Sequence, residues 1–122
     1  MKILLAEDDP NIVMIAKMVL SKVGGHDVDV AVDGGEALHK ALANAYDLIL
    51  LDGMMPVHPG VEVCKRYQEQ KQGPQAPIIF LSAKSSPEDI STFMSLGAGY
   101  IQKPFDPKSL CSCIDDILRQ AA

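Results

Sequence analysis

The chain has 122 residues, 48% of them apolar and 22% charged, with a formal net charge of -5. That length and composition suit one domain with its own hydrophobic core, and the acidic balance argues against nonspecific binding to nucleic acid. An odd count of 3 cysteines, and no apolar stretch near the ~20 residues a bilayer span needs, point to reduced thiols in a soluble, cytoplasmic protein.

Apolar runs alternate with helical patterns from one end to the other. Ile3-Leu4-Leu5-Ala6 is continuously apolar, as a strand covered on both faces should be, and is too short for the core of a signal peptide. Asp9-Pro10 then starts a helix, with a capping carboxylate before a proline at the first helical position. Its stripe of Ile12, Ile15, Ala16, Val19 and Val23 reads as core, and Gly24-Gly25 ends it. Asp27-Val28-Asp29-Val30 alternates, which suits a strand with one exposed face at a sheet edge. Asp33 with Glu36 has capping-box spacing and opens the second helix.

Leu48-Ile49-Leu50-Leu51 and Ile78-Ile79-Phe80-Leu81 are again continuous runs. Ser86-Pro87 and Gly97 bracket the fourth helix. Tyr100-Ile101 is a short last strand, and Asp106-Pro107 is expected to start a final helix whose core stripe is Leu110, Cys113, Ile114 and Ile117. Cys111-Ser112-Cys113 lacks a second Cys or His pair nearby, so it does not read as a zinc site. Strict alternation with short links predicts an α/β fold. The expected architecture is flavodoxin-like and doubly wound, a five-stranded parallel sheet in the order 2-1-3-4-5 with five helices.

In that order Glu7-Asp8-Asp9, Asp52, Ser82 and Lys103 all follow strands and so share the carboxyl rim. Asp9 suits a capping role as well as a rim one. Carboxylates crowded together repel one another. A divalent cation removes the conflict, and hard oxygen ligands with room for water select Mg²⁺. One carboxylate can then act as a nucleophile toward phosphorus, with the lysine and serine suited to the phosphoryl oxygens.

The stretches Ile3 to Asp9, Leu51-Asp52-Gly53-Met54-Met55-Pro56, Leu81-Ser82-Ala83-Lys84 and Gly97 to Phe105 resemble the receiver domains of two-component response regulators, in order and spacing over the whole chain. The resemblance implies that Asp52 is the phosphoacceptor and that Asp8 and Asp9 are the acidic pair binding Mg²⁺, with the backbone carbonyl of Met54 completing the protein ligands. It likewise implies that Ser82 is the switch hydroxyl, Tyr100 the aromatic that swings inward behind it, and Lys103 the lysine beside the phosphoryl group, with Lys103-Pro104 cis. A sensor histidine kinase or phosphotransfer protein would supply the phosphoryl group. Ser82 and Tyr100 would then alter a partner-binding face formed by the fourth helix, fifth strand and fifth helix. Residues 1–122 would form a single CheY-like receiver domain without an output domain, acting on a downstream protein and not on nucleic acid or membrane.

Two departures from the family pattern stand out. Position 53 usually carries a branched apolar residue, and glycine there is expected to loosen the loop after Asp52. Val57-His58-Pro59-Gly60 lacks the aspartate common before that glycine, so the third helix is expected to start differently. His26, His39 and His58 read as surface or turn residues. A degenerate receiver, serving as a phosphorylation-independent interaction module, would lack an acid or the lysine, and both are present. A phosphohydrolase of the haloacid-dehalogenase type needs a second acid where Met54 stands.

Overall fold

A computed structural model describes residues 1–121. Strands β1 (Lys2–Ala6), β2 (Asp27–Ala31), β3 (Leu48–Asp52), β4 (Ile78–Ser82) and β5 (Gly99–Gln102) alternate with helices α1 (Pro10–Met18), α2 (Gly34–Ala43), α3 (Gly60–Gln70), α4 (Pro87–Leu96) and α5 (Leu110–Ala121). All paired strands are parallel, in the order β2-β1-β3-β4-β5. The three inner strands are the continuous apolar runs, and β3 and β4 are buried at every position. Alternating residues along each strand feed two cores. Ile3, Leu5, Leu48, Leu50, Ile79 and Leu81 pack with Ala16 of α1, with Leu20 just after it, and with Leu110 and Ile114 of α5. Leu4, Ile49, Leu51 and Phe80 pack with Ala37, Val63 and Phe93 of α2, α3 and α4. Each fully buried side chain of this size contributes roughly 1.5–3 kcal/mol, so the sheet's apolar content is what sets its place between two helical layers.

Three helix starts follow their capping signals. Asp9 accepts a hydrogen bond from the Asn11 N–H, Asp33 from Glu36 and Ser86 from Asp89. The last helix does not. Asp106 caps a separate turn, accepting from the Lys108 N–H at 2.9 Å, and α5 begins only at Leu110. Helix α3 begins after Pro59 with no side-chain cap, in keeping with the altered loop before it.

The apolar stripe expected on the first helix is only partly buried. Ala16 and Val19 face the core, but Ile15 lies at the rim and Val23 is 74% exposed. Val23 belongs to a π-helical turn over Val19–Val23, which closes with a bond from the Gly24 N–H back to the Val19 carbonyl. Its wider turn carries Val23 off the stripe, while Leu20, four residues after Ala16, is buried.

Gly53 is not a loose point in the chain. It is buried, its N–H donates to the Leu81 carbonyl at 2.9 Å, and its carbonyl accepts from the Gly60 N–H at 3.2 Å. The start of α3 lies so close to β3 that a Cβ on Gly60 would fall 2.2 Å from the Asp52 carbonyl oxygen. Val57, in the same loop, has φ 73°, and the His58 N–H donates to the Pro56 carbonyl across it, a strained γ-turn for a β-branched residue.

Candidate functional site

Parallel register builds the site. Ala6 pairs with Leu51, Asp52 with Leu81, and Ser82 with Gln102, so Glu7, Asp52, Ser82 and Lys103 emerge side by side at the carboxyl rim. They line one crevice together with Asp8 and Met54. Asp52, Glu7 and Ser82 are buried, at 3%, 1% and 1% exposure. The Lys103 ammonium lies 2.6 Å from Glu7 Oε2 and 3.2 Å from Asp52 Oδ1. Asp52 Oδ1 also accepts from the Met54 N–H at 3.1 Å. Glu7 Oε1 accepts from the Asp9 N–H at 3.2 Å.

The charge balance is lopsided. Burial pushes the Asp52 carboxyl up to about 7; the Met54 N–H bond opposes this, the Glu7 charge adds to it, and Lys103 opposes it again. Burial pulls the Lys103 ammonium down, yet the hydrogen bond to Glu7 and the charges of Asp52 and Glu7 outweigh it and raise its pKa.

Carboxylate oxygens of Glu7, Asp8 and Asp52 all lie within 4.8 Å of one another. Hard oxygen donors that close, set against a single ammonium, fit a small divalent cation such as Mg²⁺. No other cluster of this kind occurs among the described residues.

Not every expected residue joins that cluster. Asp9 borders the crevice, but it is exposed and its Oδ1 accepts from the Asn11 N–H at 2.9 Å to cap α1. Glu7 takes its place among the grouped acids. Its one signal in the sequence is position, since it directly extends a strand that is buried without a break. Ser82 Oγ accepts from the Lys84 N–H at 3.1 Å. Tyr100 donates its hydroxyl to the carbonyl of Lys84 at 2.7 Å and that of Ser82 at 3.3 Å. The Lys103-Pro104 bond is cis.

The family model described as the response regulator receiver domain matches residues 3–115. The chain belongs to the response-regulator receiver family. As a receiver it is 41% identical over 120 residues to response regulator ArlR of Staphylococcus saprophyticus, covering 98% of this chain and 53% of that protein. It is 40% identical over 121 residues to the alkaline phosphatase synthesis transcriptional regulatory protein PhoP of Bacillus subtilis, covering 98% and 49%. The receiver thus spans about half the length of the curated relatives it matches.

Among solved structures, chemotaxis protein CheY4 of Vibrio cholerae superposes with a TM-score of 0.81 at 34% identity, covering 95% of this chain and 97% of the other. The BeF3-activated DrrB receiver domain gives 0.82 at 26% identity, with 97% of both chains covered. The family is one of signalling switches in two-component systems. Among the described residues of this receiver, no helix is long and apolar enough to cross a membrane.

Proposed function

We propose that Asp52 of this receiver accepts a phosphoryl group from the phosphohistidine of a sensor histidine kinase or phosphotransfer protein, in a Mg²⁺-dependent reaction. The observation that carries this reading is a buried carboxylate held 3.2 Å from one lysine and grouped with two further acids at the open rim of the sheet. An Asp52 oxygen attacks phosphorus while the P–N bond breaks. The imidazole leaves with the bonding electron pair and takes up a proton, and an acyl phosphate remains on Asp52.

Lys103 is the cation within reach of the new phosphoryl oxygens, and Ser82 is the nearby hydroxyl that can donate to them. Glu7 and Asp8, with the Met54 carbonyl, would hold the metal, and Asp9 would serve the site by fixing the start of α1. Mg²⁺ supplies charge neutralisation for the carboxylates and for the incoming phosphoryl group. Phosphorylation adds roughly two negative charges beside Lys103. Ser82 and Tyr100 would respond together, favouring a second arrangement of the face that includes α4, β5 and α5.

Acetyl phosphate with and without Mg²⁺ tests the assignment. Wild type should gain an acid-stable, base-labile label that maps to Asp52, and Asp52→Asn should gain none. Equal labelling of the two proteins would overturn it.

A further inference from the structure

The peptide after Asp52 touches an aromatic ring that belongs to α4. A Cβ built on Gly53 would lie 3.1 Å from Cζ of Phe93, 3.2 Å from Oγ of Ser82 and 3.3 Å from its Cβ. Glycine therefore admits Phe93 to a place that any larger residue would contest. Phe93 is 3% exposed. It stacks on Phe80 at 4.8 Å between centroids, with 29° between planes, and on Tyr100 at 5.4 Å, with 12°. Phe80 and Tyr100 are register partners on β4 and β5. The Tyr100 hydroxyl in turn bonds the carbonyls of Ser82 and Lys84. One buried ring is thus stacked on Tyr100 and set beside Gly53, which has Ser82 as its other neighbour, while the ring's own backbone belongs to α4.

We propose that Phe93 is a positioning residue, wedged against Gly53 and stacked on Tyr100, that makes Ser82, Tyr100 and α4 move as one unit. This rests on the phosphoacceptor reading of Asp52. Packed interiors pass displacement on because they have little free volume. A shift of Ser82 toward a phosphoryl group changes the contact at Gly53, and a ring stacked nearly flat on Tyr100 carries that change to β5 and α4. Position 53 and position 93 are then a matched pair, small against large. Crowding at one should be relieved by trimming the other.

The full chain carrying 3-fluorotyrosine gives the readout. Its tyrosines are Tyr46, Tyr67 and Tyr100, and the fluorine signal of Tyr100 is the one missing in Tyr100→Phe. With Mg²⁺ and acetyl phosphate, the wild-type Tyr100 signal should move as Asp52 is labelled. In Phe93→Ala, Asp52 should still be labelled while the Tyr100 displacement falls by more than about half. Phe93→Leu, which keeps an apolar side chain there but cannot stack, should show the same loss and stands in if the alanine variant does not fold. Gly53→Val alone should slow labelling by about tenfold through overpacking, and adding Phe93→Ala should restore most of that rate.

A full Tyr100 displacement in the folded Phe93 variants, or a double variant no faster than Gly53→Val, overturns the proposal. Unlabelled wild type instead overturns the phosphoacceptor reading, and this inference with it.

Discussion

The two ends of the sheet both carry acids and bases, and they handle them differently. At the amino end, Tyr46 donates to Asp29 at 2.8 Å, the Lys2 N–H donates to Asp47 at 2.7 Å, and the amino terminus meets His26 Nδ1 at 3.0 Å. The Lys2 ammonium also lies 5.2 Å from the centre of the Tyr46 ring. These groups are exposed or half-buried, and Asp29 and Asp47 each have a donor of their own. At the carboxyl end, Glu7 and Asp52 are buried and share Lys103, with Asp8 close by. A polar cluster with matched partners is scaffolding. Unmatched like charge, held out of water, is stored free energy that a bound cation can draw on.

The largest effect expected from that contrast is on stability without metal. The folded pKa of Asp52, about 7, lies above its ordinary value of 3.8. The folded state therefore binds this proton more tightly than the unfolded chain does. The favourable contribution is complete below about pH 4 and drains away as pH rises toward 7. Asp52→Asn cannot ionise. In EDTA it should exceed wild type by a few kcal/mol at pH 8, and the gap should close toward pH 4. Urea midpoints at both pH values check this. A gap that does not change with pH would place the charge conflict elsewhere.

Next in size is the metal. Glu7→Gln should weaken Mg²⁺ binding by about tenfold or more, because it removes an acid from the cluster. Asp9→Ala should leave that affinity far less altered and should instead cost about 1 kcal/mol of stability through the lost helix cap. A Mg²⁺ titration and a urea melt of each variant separate these roles. A larger loss of Mg²⁺ affinity in Asp9→Ala would restore Asp9 to the metal site. The smallest effect belongs to the amino end. Tyr46→Phe should cost about 0.5–1.5 kcal/mol, one hydrogen bond, and leave acetyl phosphate labelling unchanged.

Strand order, edge strands and the gathering of Asp52, Ser82 and Lys103 were legible in the sequence because a parallel sheet allows few arrangements of such runs. Of the acids after β1, Asp8 was legible as a member of the cluster and Glu7 was not. Glu7, Asp8 and Asp9 are chemically alike neighbours, and only the direction in which the chain leaves β1 decides which carboxylates face the crevice. The capping signal at Asp9-Pro10 was present, and the structure gives it the greater weight. The π-helical turn has no marker in composition, so regular spacing placed Val23 wrongly. Gly53 read as slack because its neighbour Phe93, 40 positions on, is brought against it only by tertiary packing.

Glu7 and Lys103 are 96 positions apart. Closing a loop of that length costs more entropy than the nearer pairings do. Until β5 is in place, Glu7 and Asp52 face each other with no ammonium between them. A chain cut before Lys103 would lack the ammonium that Glu7 and Asp52 share. The ion pair therefore ties the end of the first strand to the end of the last, and the charge balance at Asp52 depends on both.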